Sequence, residues 1–147
     1  MYHYQTLNKL LKNELSVTKT YQRILDKLRT DAELGESDYL LPIYEAHKAV
    51  VSSLQALISK LGETPAEDSG DLGTWAEIVL GSAGILCRKA VLKALQAGEK
   101  SGAENYERVL QDPELPSDIR SLIEWKLLYG QQAHIRTLDR LYHAATA

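Results

Sequence analysis

Residues 13–25, NELSVTKTYQRIL, and residues 98–110, GEKSGAENYERVL, share Glu, Ser, Tyr, Arg and Leu at the same places, and Ile24 stands where the second segment has Val109. Composition alone gives roughly one coincidence in thirteen positions. A second pair of segments agrees in the same way. Residues 40–54, LLPIYEAHKAVVSSL, and residues 127–141, LLYGQQAHIRTLDRL, share two leading leucines, an Ala-His dipeptide and a closing leucine. Glu14 and Glu99 are 85 residues apart and His47 and His134 are 87 apart, a difference that two residues in a loop absorb. The chain therefore reads as one unit of two segments, used twice.

All four segments carry the helical period, with apolar residues three and four apart and no sustained alternation of period two. The first helix is expected from about Tyr4 to Arg29, with Leu7, Leu11, Tyr21, Leu25 and Leu28 on one face and Leu10, Val17 and Ile24 beside them. DAELGESD interrupts the pattern and supplies Ser37 and Asp38 as N-cap candidates for a second helix reaching about Leu61. That helix runs through Leu40, Ile43, Val50, Val51, Leu54, Leu57 and Ile58, and Pro42 falls in its first turn or so, where a missing amide hydrogen is tolerated. A third helix is expected over roughly Leu86 to Gln111, through Leu92, Leu95, Ala103, Tyr106, Val109 and Leu110. DPELPSD separates it from a fourth, from about Pro116 to Ala144, with Ile119, Ile123, Leu127, Leu138 and Leu141 facing inward.

Between the second and third helices lies GETPAEDSGDLGTWAEIVLGSAGI, far longer than a helix-to-helix turn. Two helical hairpins laid side by side with parallel middle helices need such a crossover. The fold expected is thus an all-α four-helix bundle of two repeated hairpins, joined by a crossover that contains a short extra helix from Thr74. A dimerisation surface is the other use for Trp75, Ile78, Val79 and Leu80.

At 147 residues the chain suits one domain, and 44% hydrophobic with 25% charged residues is the composition of a folded protein. A net charge of -3 with basic residues scattered along the chain argues against nucleic acid as a partner. One cysteine, Cys87, excludes a disulfide framework and a cysteine-based metal cluster. The N-terminus lacks the apolar run of a signal peptide, and the longest apolar stretch, IVLGSAGILC, is too short to span a bilayer. A cytoplasmic protein is expected, with no membrane partner and a homodimer as its candidate assembly.

The chemistry lies in the seams. Positions 7, 11, 14, 18, 21 and 25 form the buried stripe of the first helix, so Glu14 points inward. Glu99 holds the same place in the third helix, and His47 and His134 hold the equivalent place in the second and fourth. Each helix contributes one ionisable residue to its core stripe. A buried carboxylate or imidazolium is costly unless it is paired or bound to a cation. Carboxylate oxygen with imidazole nitrogen suits iron, manganese or zinc.

Glu on the first and third helices, each followed seven residues later by Tyr21 or Tyr106, and His on the second and fourth, resemble the ferritin-like superfamily. Within it, GEKSGAENYERVL, QDPELPSDIRSLIEW and HIRTL are similar to a family of small bacterial four-helix proteins described as a domain of unknown function. The resemblance implies the fold, and a role connected with metal handling or oxidative stress. Ferritin-like di-iron proteins carry Glu-x-x-His on two of their helices. Here Tyr44 and Gln131 stand at the two Glu positions, and Glu45 lies roughly 160° around the helix from His47.

Two divalent ions held by Glu14 and Glu99 alone would leave about two charges uncompensated in a low-dielectric interior, which disfavours a di-iron centre. A single iron, manganese or zinc ion on Glu14, His47, Glu99 and His134 is balanced in charge, with Tyr44, Gln131, Tyr21 and Tyr106 behind the ligands. The other reading is an ion-free polar network of two Glu–His pairs in a non-catalytic or partner-binding bundle. Whether the chain is an enzyme stays open. His3 and His143 lie off the seams, Cys87 has no partner histidine at a recognisable spacing, and Glu104 and Glu107 suit the solvent face with Lys100 and Arg108. No phosphate loop, nucleophile elbow or helix-turn-helix signature is present.

Overall fold

Helices alone make up the regular structure of the residues described, which in this computed structural model are 2–29, 37–68 and 88–145. They are α1 (Tyr2–Arg29), α2 (Ser37–Lys60), α3 (Arg88–Leu110) and a continuous run, α4, built from an α segment Ser117–Leu122, a π segment Ile123–Leu128 and an α segment Tyr129–Ala144. There is no strand among the described residues. The four helices fall within a residue or two of the bounds expected from the hydrophobic period. The expected short helix from Thr74, the apolar group Trp75, Ile78, Val79 and Leu80, Cys87, and the side chains of His3 and Leu28 lie outside the described residues.

The chain divides into two units, residues 1–91 and 92–146, the division falling inside α3. In the first unit α1 packs against α2 through the predicted stripes. Leu7, Leu10, Leu11, Tyr21, Ile24 and Leu25 of α1 are buried, as are Leu40, Ile43, Leu54 and Ile58 of α2. The two run antiparallel, because Glu14 meets His47 while Tyr4, earlier in α1, meets Thr64 just beyond α2. Pro42 lies on the exposed side of α2, near its start, where the missing amide donor costs little.

Gly62 ends α2. Its φ of 84° is the left-handed conformation that closes a helix, and the bonds from Gly62 N to Ser59 O and from Glu63 N to Ile58 O are those of a Schellman cap. The chain then turns back over α1, where Asn8 Oδ1 accepts a hydrogen bond from the Ala66 amide at 2.9 Å.

In the second unit the buried apolar side chains include Leu92, Leu95, Ala103 and Tyr106 of α3, Leu115 of the turn, and Ile119, Ile123, Leu127 and Leu138 of α4. Arg120 joins the helices: its guanidinium donates to the carbonyls of Leu110 at 2.6 Å and Asp112 at 2.5 Å, so a cation sits on the carbonyl end of α3.

The π segment was not foreseen, yet its cause is in the sequence. Ile119, Ile123, Leu127 and Gln131 are all buried and recur every four residues. In an α-helix that spacing drifts by about 40° at each step. The wider winding of i→i+5 hydrogen bonds over Ile123–Leu128 takes up the drift within that segment.

Candidate functional site

Each unit contains one carboxylate and one imidazole brought together by its antiparallel helices. In the first, Glu14 and His47 are 4% and 1% exposed, and His47 Nδ1 lies 2.5 Å from Glu14 Oε2. An N–H donated from Nδ1 to the carboxylate leaves Nε2 as the nitrogen bearing the lone pair. Carboxylates are placed in this way behind metal-ligating histidines. Tyr21, two turns along α1 from Glu14, stacks on the imidazole with ring centroids 5.6 Å apart and planes 25° from parallel. The hydrogen bond and the stack hold the ring in one orientation.

The second unit repeats the pair with a looser geometry. Glu99 is completely buried, His134 is partly exposed, and His134 Nδ1 stands 3.6 Å from Glu99 Oε1. That separation is too long for a hydrogen bond. It is close to the spacing of two atoms that share one ion, since ligands about 2.1 Å from a metal lie about 3–3.5 Å apart. The repeat in sequence is thus not a repeat in distance.

Gln131 adds a cross-link beside the second pair that the first pair's helix does not repeat, Tyr44 standing at the equivalent position. The glutamine is 3% exposed, and its Nε2 donates to the main-chain carbonyl of Glu99 at 3.0 Å. The amide reaches the helix backbone because α3 has glycine at 102: a Cβ there would lie 2.5 Å from Gln131 Nε2. Gly102 has a close approach to serve. A second cross-link, between the Gln96 amide and the Asp139 carboxylate, joins the same helices. Its only signal in the sequence was a polar residue at 96 inside the α3 stripe.

Among the residues expected behind the ligands, Tyr21 and Tyr106 are buried and Tyr44 is half-buried, with the Lys48 ammonium 5.2 Å from its ring centroid. Glu45 is exposed and pairs with Lys48 at 3.8 Å, as its position around the helix requires. Glu104, Glu107, Lys100 and Arg108 are all exposed, and so is His143 at the end of α4.

The geometry defines an all-α protein with a buried carboxylate facing an imidazole in each unit. Residues 3–112 match the family described as "Domain of unknown function (DUF2383)", and since they make up most of the chain, the protein belongs to that family. Glu14, His47, Gly102 and Glu99 lie within the matched residues, whereas Gln131, His134 and all of α4 lie beyond them. No curated protein and no solved structure matches the chain. No helix among the described residues is long and apolar enough to cross a membrane.

Proposed function

We propose that the two helical pairs are halves of one ferritin-like domain, and that Glu14, His47, Glu99 and His134 together hold a single iron, manganese or zinc ion in a cytoplasmic protein concerned with metal handling. The observation that carries this reading is the burial of a carboxylate against an imidazole at repeat-equivalent positions in both units. Ionisable side chains inside apolar stripes are costly to keep unless they are paired or hold a cation, and Glu99 and His134 stand too far apart to share a hydrogen bond.

In this reading Glu14 acts through the imidazole it orients, and His47 offers Nε2. Glu99 and His134, at a separation suited to a shared ion, ligate directly. Two carboxylates balance one divalent charge. Gln131, committed to the Glu99 carbonyl, supplies no anion for a second ion. When bound, such an ion would supply Lewis acidity or, as iron or manganese, a one-electron couple. The protein's own part is to fix the donors and keep them dry.

The 2.5 Å bond between Glu14 and His47 favours a second reading, in which the pairs satisfy each other and the cluster only fixes helix register. Elemental analysis of the chain purified without an affinity tag, beside the His47→Ala/His134→Ala variant, separates the two. About one ion per chain, lost in the variant, is the expected result. No ion in either protein after iron, manganese and zinc have each been offered would overturn the metal reading and leave the register role. Two ions per chain would overturn the charge argument.

A further inference from the structure

The outer face of α4 is unlike that of a solvated helix. Trp125 is 71% exposed and Tyr129, one turn on, is 62% exposed. Two large aromatics side by side in water give up burial that most folded chains use, and contiguous exposed apolar surface marks an interaction site. The same stripe continues through exposed Asp118 and Ser121 on one side and exposed Gln132, Arg136 and Arg140 on the other. The two ends of the stripe carry opposite charge. Before the aromatics the exposed charges near and on this helix are Glu114, Asp118 and Glu124, Lys126 is exposed between the aromatics one residue round from Trp125, and beyond Tyr129 the exposed charges are Arg136 and Arg140. The basic Arg120 of the first half is turned away to the Leu110 and Asp112 carbonyls, and the acidic Asp139 of the second half is bonded to Gln96.

The helix dipole explains acids at one end and bases at the other. It does not explain exposed aromatics between them, nor the symmetry of the spacing. Asp118 precedes Trp125 by seven residues, and Arg136 follows Tyr129 by seven. A stripe that reads acid, aromatic, aromatic, base at matched intervals is complementary to itself when turned end for end.

We infer that this face of α4 docks a second copy of the chain, antiparallel, about a twofold axis at the level of Leu127. Trp125 of each copy lies against Tyr129 of the other, and Asp118 of each faces Arg136 of the other. The occupant is a second copy because one twofold satisfies both aromatics and both charges at once, whereas an unrelated partner would need an independently matched pattern. One helix face per copy places the contact at the small end of protein interfaces, so the dimer should dissociate in the micromolar range. The inference does not depend on a bound ion.

Sedimentation velocity of the full chain between about 1 and 500 µM tests it. A reversible monomer–dimer equilibrium is expected. The Trp125→Gln/Tyr129→Gln variant should weaken it more than about thirtyfold. Both residues are exposed, so the variant should keep the parent's circular dichroism and melting temperature. Asp118→Arg and Arg136→Asp should each weaken association several-fold, and the double variant Asp118→Arg/Arg136→Asp should recover it. A monomer throughout the range would overturn the inference. So would a dimer that survives loss of both aromatics, or charge reversals that the double variant does not rescue.

Discussion

Gln131 on α4 donates its side-chain amide to the main-chain carbonyl of Glu99 on α3, across a gap that exists because residue 102 has no Cβ. The glycine thus costs helix propensity and returns a cross-helix hydrogen bond. It places a donor, rather than a carboxylate, one turn before His134.

This relationship predicts a reversal of sign. Gly102→Ala should gain up to about 1 kcal/mol of helix propensity, yet displace Gln131 and strand a buried amide at a cost of about 1–3 kcal/mol. The single variant should therefore be neutral to destabilised. In a Gln131→Ala background the same change should stabilise by about 1 kcal/mol, because only the propensity remains. Urea unfolding of the four proteins in this cycle measures it, and equal effects in both backgrounds would show that the close approach does not matter.

The two Glu–His pairs should differ in coupling energy. Removing His47 alone leaves Glu14 buried without its partner, which should cost about 3–5 kcal/mol. Glu14→Gln in the same chain should remove much of that cost. A double-mutant cycle on Glu99 and His134 should give a smaller coupling in metal-free protein, since 3.6 Å replaces 2.5 Å and His134 is partly exposed. Cycles of equal size would contradict the geometry.

Arg120 should stabilise the second unit through the carbonyl end of α3. Arg120→Ala removes two charge-assisted hydrogen bonds and should cost about 1.5–3 kcal/mol. Arg120→Lys, with one ammonium in place of the planar fork, should recover less than half of the loss. Amide hydrogen exchange locates the effect: faster exchange in residues 105–120, with α1 unchanged, is the expected pattern.

The helices and their buried faces were legible in the sequence because the helical period is a local property. Leu7, Leu11 and Ile24 of α1, Leu54 and Ile58 of α2, Leu92 and Leu95 of α3, and Ile123 and Leu138 of α4 are each read from neighbours three and four residues away, and all are buried. Glu14, Glu99 and His47 were legible for the same reason, being polar residues on apolar stripes. The same period put His134 on the seam, although it is only partly covered.

Only the tertiary structure decided which atoms meet. A shared motif predicted two equivalent pairs, and the chain folds one into a hydrogen bond and the other into an open ion-pair distance. The Gly102 gap, the Arg120 bridge and the Gln96–Asp139 cross-link depend on the partner helix. Periodicity places a side chain on a face of its helix, whereas hydrogen bonds and metal ligation are set by distances that packing between helices decides.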